Sequence, residues 1–199
     1  MNRRAARTAL LVSALTAVFA MGAAVAASAG EGDPRASQTV ERHRAAAVPH
    51  THSSQGIERR ILASHNSERE RLGLAPLKWN PHLEREAAEW ARELNRRGVL
   101  QHASSDVRNG TGENLWMGTA GVWDVERMVG MFLDERRHYR HDNFPNISRT
   151  GNWADVGHYT QIVWRDTKEV GCAVDTNRGN DVLVCRYWPA GNVWGARAY

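Results

Sequence analysis

Only two cysteines occur in the chain, so a multi-bridge disulfide scaffold is excluded and at most one pairing exists. Excess charge of one sign is also missing. The whole chain has 26 basic and 22 acidic side chains, but Arg3, Arg4 and Arg7 lie in an N-terminal segment that reads as removable, and without those three the balance is 23 to 22. A nearly neutral protein lacks the basic face or stripe that nucleic-acid binding requires. No apolar run is both long and unbroken. The stretch Ala9 to Val25 is interrupted by Ser13, Thr16 and Gly22 and followed by Ala27-Ser28-Ala29, so residues 1–29 read as a secretory signal peptide and not as a membrane anchor. No cysteine stands near the expected cleavage after Ala29, which argues against a lipoprotein. Nucleophile-elbow patterns, compact metal motifs and internal repeats are absent as well.

Residues 30–56 have no aromatic residue and no apolar periodicity, and are expected to form a flexible linker. A single domain over 57–199 follows. Ile57, Ile61, Leu62 and His65 are spaced for one helix face, which fades at Gly73-Leu74-Ala75-Pro76. Asn80-Pro81 is a strong helix start, an N-cap side chain followed by proline at the first position, with Leu83, Ala87, Trp90, Ala91 and Leu94 as the inward stripe and Gly98 as the stop. A third helix is expected over 122–139, with Val125, Met128, Val129 and Phe132 inward. The rest reads as strands at 159–164, 169–175 and 181–188. Helices first and an antiparallel meander last make an α+β pattern.

The two cysteines flank the turn-rich Asn177-Arg178-Gly179-Asn180. A hairpin symmetric about Arg178-Gly179 places Cys172 directly opposite Cys185, and a two-residue loop makes this a non-hydrogen-bonded pair, where side chains approach most closely. A disulfide is expected in an exported chain.

The stretch Gly157-His158-Tyr159-Thr160-Gln161-Ile162-Val163-Trp164 reads as a strand carrying a histidine and a glutamine into a polar cleft, with His158 and Thr160 in line with Ile162 and Trp164. Together with Val184-Cys185-Arg186-Tyr187-Trp188-Pro189-Ala190-Gly191-Asn192 it resembles the two C-terminal signatures of the CAP superfamily, the secreted domains related to plant pathogenesis-related proteins, insect venom antigens and cysteine-rich secretory proteins. Ile61 to Asn66, Pro76 to Asn80 and Gly112-Glu113-Asn114-Leu115-Trp116 extend the resemblance over 57–199. It implies a three-layer α/β/α sandwich around a mainly antiparallel sheet. The short Ala-rich leader suggests a bacterial member, and the chain lacks the added cysteine-rich module of the animal secretory members.

The resemblance also implies a cleft lined by His102, Glu113, Glu135 and His158. Two neutral imidazoles with supporting carboxylates suit zinc or another divalent ion with a position left for water. A histidine beside a glutamate also suits general-base work, and a plain hydrogen-bond network is the third reading. Glu135 competes with the adjacent Asp134. Ser104, Ser105, His138 and His141 are weaker candidates, read as capping or helix-end groups. Trp123, Trp153 and Trp194 fall in or near loops, where they either line an apolar groove or pack into the core. The expectation is therefore a secreted, monomeric binding module for a lipid-like small molecule or an extracellular protein. The alternatives are a metal- or histidine-dependent hydrolase of peptides or envelope polymers, and a structural interaction domain.

Overall fold

The computed structural model describes residues 54–199. The expected signal peptide and most of the expected linker lie outside the described residues. Helix α1 (Ser54–Arg71) is followed by the short strand β1 (Lys78–Trp79), α2 (Pro81–Arg97), α3 (Ser105–Arg108), β2 (Gly112–Thr119), α4 (Val125–Asp134), α5 (Gly157–Ile162), β3 (Glu169–Asn177) and β4 (Asn180–Trp188). The sheet order is β1-β3-β4-β2. β1 runs parallel to β3, and the other pairings are antiparallel.

Alternation along the strands separates two cores. On one face the cross-strand row Ala173, Val184 and Leu115 packs with Val182 against Ala87, Ala91 and Leu94 of α2. On the other, Cys172, Cys185, Leu183 and Tyr187 join residues of α1, α4 and α5, among them Ile61, Met128, Phe132 and Ile162. These layers make an α/β/α sandwich. Helix α2 starts as its sequence dictates, with Asn80 Oδ1 accepting from His82 N at 2.8 Å, and ends at Gly98 with φ 68°. Its first turn lies directly on the sheet at Gly171, where an added Cβ would stand 2.2 Å from the Glu84 backbone nitrogen.

The hairpin has the expected register. Cys172 pairs with Cys185 across β3 and β4, and the two are bridged. Arg178 and Gly179 form the two-residue loop, with φ of 49° and 81°, the left-handed pair that matches strand twist.

Three expectations are corrected. The expected meander omits β1 and β2, and the Gly112–Thr119 segment forms a full edge strand against β4. Helix α4 is shorter than 122–139: Asp124 caps it through Arg127 N, and after Asp134 the chain tightens into a 3₁₀ turn at Glu135–His138. The largest correction concerns 157–164, which is helical over Gly157–Ile162 and not a strand, so the alternating face assignment for His158 and Thr160 does not hold. Its β-branched and aromatic residues favour a strand only as a weak preference. Distant charges decide otherwise. The Glu135 carboxylate accepts from the backbone N–H of His158 and of Tyr159, each at 3.0 Å, satisfying orphan donors at the helix start. At the other end the buried Arg69 of α1 donates to the carbonyls of Ile162 and Trp164 at 2.9 and 2.8 Å. Burial lowers the Arg69 pKa to about 10, and its guanidinium is also tied to Ala75 and Thr167 carbonyls.

Candidate functional site

The four expected residues form two His–Glu pairs. His102, in the loop after α2, and Glu113, on β2, meet at 2.7 Å through Nδ1 and Oε1. His158, on α5, and Glu135, in the turn after α4, meet at 2.6 Å through the equivalent atoms. Glu135 and not Asp134 makes this contact, while Asp134 pairs with Arg127 at 3.2 Å.

Each pair is built by long-range contacts. Glu113 Oε1 also accepts from Ala103 N at 3.0 Å, fixing the loop that carries His102. Its other oxygen faces Arg186, the residue directly opposite in the β2–β4 register, at 3.1 Å. Both side chains are buried, and the contact is an ion pair and not a well-directed hydrogen bond, since Glu113 Oε2 and Arg186 Nε have no hydrogen-bond partner among the described residues. Burial lowers the Arg186 pKa below the ordinary guanidinium value, with Glu113 and Glu86 opposing the shift. Arg186 Nη1 donates to Thr111 Oγ1 at 3.2 Å.

The next residue of β2 turns to the opposite face. Asn114 Nδ2 donates to the His158 carbonyl at 3.0 Å and to Tyr187 Oη at 3.2 Å. Tyr187 Oη and His65 Nε2 are 2.9 Å apart, and His65 Nδ1 donates to the Ile61 carbonyl at 2.8 Å, so the neutral ring accepts from the tyrosine. Burial lowers the His65 pKa to about 4, which keeps it neutral near pH 7. This buried chain runs from α1 through β4 and β2 to the backbone of α5. Phe132 stacks on the His158 ring at 4.7 Å. Behind α5, Glu68 accepts from Arg71, Arg136 and Tyr159. Burial raises the Glu68 pKa, but these partners outweigh it and hold the carboxyl below its usual range.

A cleft of about 300 Å³ opens beside the first pair. His102, Arg108 and Glu113 line it together with Phe144, Trp153 and Trp194. His158 is adjacent to Gly157, whose carbonyl accepts from Asn192 Nδ2 at 2.9 Å, and Asn192 also lines the cleft. Trp153 and Trp194 are exposed and do not pack into the core; Trp123 stands at the border of exposure and meets Trp116 edge-on. Ser104 caps α3 through Val107 N. His138 Nε2 accepts from Arg137, and His141 packs beside Tyr139 and Tyr199. Sequence reasoning placed Phe132 on an inward helix stripe and Asn114 and Arg186 within motifs but assigned none of them to the site, because their contacts there depend on strand register and helix packing that no local pattern encodes.

In each pair the carboxylate occupies Nδ1, which makes Nδ1 the protonated nitrogen and leaves Nε2 as the free base, the carboxylate–histidine arrangement that supports metal ligation. The four residues are no ready-made cage. Among the described residues the only three His, Cys, Asp or Glu ligand atoms within 4.8 Å of one another are those of His65, Cys172 and Cys185. That trio holds nothing, because its sulfurs are joined to each other and both His65 nitrogens are engaged.

The described residues form no helix long and apolar enough to cross a membrane. Residues 62–187 match the model of the cysteine-rich secretory protein family, CAP. Pathogenesis-related protein 1B of Nicotiana tabacum is 34% identical over 153 residues, covering 76% of this chain and 86% of that protein. Golgi-associated plant pathogenesis-related protein 1 of Homo sapiens is 31% identical over 142 residues, covering 71% and 88%. Among solved structures, a crystal structure of NaASP2 with Zn2+ superposes with a TM-score of 0.62 at 25% identity, covering 72% of this chain and 84% of that one. With its fold, its disulfide hairpin and both His–Glu pairs in view, the chain belongs to the cysteine-rich secretory protein family.

Proposed function

We propose that this is a secreted binding module whose cleft holds a ligand beside a divalent ion, zinc by preference, carried by His102 and His158. The supporting observation is the pairing of each Nδ1 with a carboxylate, which directs both Nε2 lone pairs away from Glu113 and Glu135. The glutamates orient the rings and offset the ion's charge, and do not ligate. The zinc in NaASP2 is consistent with this reading. With two protein nitrogens, much of the coordination sphere is left to water or ligand. A bound zinc ion would act as a Lewis acid toward that ligand.

Binding is favoured over hydrolysis. Among the described residues no serine, threonine or thiol is hydrogen-bonded to either imidazole, and the serine nearest His102 in sequence, Ser104, is a helix cap. The ligand would use the aromatic wall at Phe144, Trp153 and Trp194.

Zinc calorimetry on the purified chain tests the ion. His102→Ala and His158→Ala should each weaken binding sharply, Glu113→Gln and Glu135→Gln by roughly 10–100-fold, and His138→Ala not at all. Acidification should release the ion as the imidazoles protonate. Equal affinity in the wild type and the His102→Ala/His158→Ala double variant would refute the shared site. Turnover of a peptide or glycan that disappears in His158→Ala would favour the hydrolase.

A further inference from the structure

Two of the eight tryptophans stand in solvent at the mouth of the cleft, Trp153 at 43% and Trp194 at 72% exposure. Leaving a large aromatic unburied forgoes hydrophobic stabilisation, and here the exposed rings are also held in place. Phe144, itself buried, lies 5.2 Å from Trp153 and 5.5 Å from Trp194, edge-on to the latter. The Trp194 loop is pinned to it by two backbone bonds, Gly195 N to the Phe144 carbonyl and Phe144 N to the Ala196 carbonyl, both at 2.8 Å. The result is a braced aromatic shelf.

Arg108 lines the cleft, with its Nε spent on the Ala103 carbonyl at 3.0 Å and its terminal nitrogens without a partner among the described residues. Arg197, which follows the Trp194 loop and is not itself part of the cleft lining, donates from Nε to Asn143 Oδ1 at 2.9 Å, the residue before Phe144, and its terminal nitrogens are likewise unpartnered among the described residues. The neighbouring turn adds Arg140 and Arg149, each anchored by Nε to a backbone carbonyl. Between 137 and 149 the only carboxylate is Asp142. Arg140 also spends Nη2 on the Asn146 carbonyl and on Asp142 at 3.3 Å, whereas anchoring through Nε alone leaves the outer edge of the Arg108, Arg149 and Arg197 forks free for an anion.

We propose that the cleft binds an acidic polysaccharide, with sugar rings stacked on Trp153 and Trp194 and their carboxylates read by Arg108 and Arg197. A pyranose presents a flat C–H face to an indole and its polar groups at the rim, which suits an open shelf edged by guanidinium. An acyl chain would meet the charge of Arg108 and the polar ring of His102 in the same cleft. Two exposed indoles offer more than one stacking surface, which suits a chain of sugars and not a single ring. This inference rests on reading the cleft as a binding site, but not on the metal.

Calorimetry with the full chain tests it, using hexagalacturonate, hyaluronan hexasaccharide and uncharged cellohexaose as probes, with and without EDTA. At least one acidic oligomer should bind, weakening as salt rises and unchanged by EDTA, while cellohexaose should not bind at the same concentration. Trp194→Ala and Trp153→Ala should each weaken binding at least tenfold, and Trp194→Ala, at the more exposed ring, should do so without moving the urea midpoint. Arg108→Gln and Arg197→Gln should flatten the salt dependence. The inference is overturned if neither acidic oligomer binds, if cellohexaose binds equally well, if the tryptophan variants bind like wild type, or if only phosphatidylglycerol vesicles are captured. Zinc binding without sugar binding would sink this inference alone, and sugar binding without zinc binding would sink the metal reading alone.

Discussion

Arg186→Met isolates the charge that compensates Glu113. Arg186 and Glu113 have side-chain exposures of 1% and 0% and meet at 3.1 Å. Removing one partner of such a pair leaves the other charge buried, at a cost of roughly 3–5 kcal/mol. Glu113 retains His102 Nδ1 and Ala103 N on its other oxygen, which places the expected loss near the lower end, about 3 kcal/mol. For a domain of this size that is roughly 6–12 °C in Tm. Methionine keeps an unbranched apolar stem of similar length, so packing against the N-terminal half of α2 changes little.

The Glu113→Gln/Arg186→Met double variant removes both charges, and its loss should be smaller than the sum of the two single losses by at least 1 kcal/mol, as coupled neighbours behave. Urea unfolding followed by tryptophan fluorescence, with the disulfide intact, gives all three values at pH 7. A single-variant loss below about 1 kcal/mol, or strict additivity, would refute the reasoning that Arg186 compensates the charge of Glu113.

Acid should destabilise the fold through His65. Its folded pKa of about 4 lies below the ordinary ~6.5, so the unfolded chain binds the proton more readily, and stability is intact above about pH 6.5 and falls as pH drops towards 4, by roughly 3 kcal/mol in all. Glu68, also depressed, adds a loss at lower pH; a stability profile flat between pH 7 and 4.5 would contradict the His65 reading. Cys172→Ser opens a loop with a sequence separation of 13 and should cost about 3 kcal/mol, read as a lower denaturation midpoint, whereas two titratable thiols in the native protein would argue that the bridge does not form. Gly171→Ala places a methyl group against the backbone of α2, which cannot swing away, and should destabilise by about 1–3 kcal/mol. An unchanged midpoint there would mean that the helix-to-sheet approach is looser than described.

What the amino-acid sequence by itself determined was whatever is encoded within a few residues. The start of α2 at Asn80-Pro81 and its stop at Gly98 were legible because capping is local chemistry. So was the Cys172–Cys185 register, since a two-residue loop at Arg178-Gly179 leaves one alignment. The inward stripe of α4 was legible too, from Val125, Met128, Val129 and Phe132. His102, Glu113 and His158 stood out only through motifs shared with a family. The tertiary structure alone decided the rest. Residues 157–162 are helical because Glu135 and Arg69, from elsewhere in the chain, satisfy the two ends, a stabilisation no window around His158 contains. Glu135 was chosen over Asp134 by the direction in which the chain leaves α4 into its 3₁₀ turn. Glu113 met Arg186 through β2–β4 pairing, and Trp153 and Trp194 were left outside by loops that Phe144 braces, because such contacts join residues far apart in the chain whose meeting is set by packing and not by periodicity.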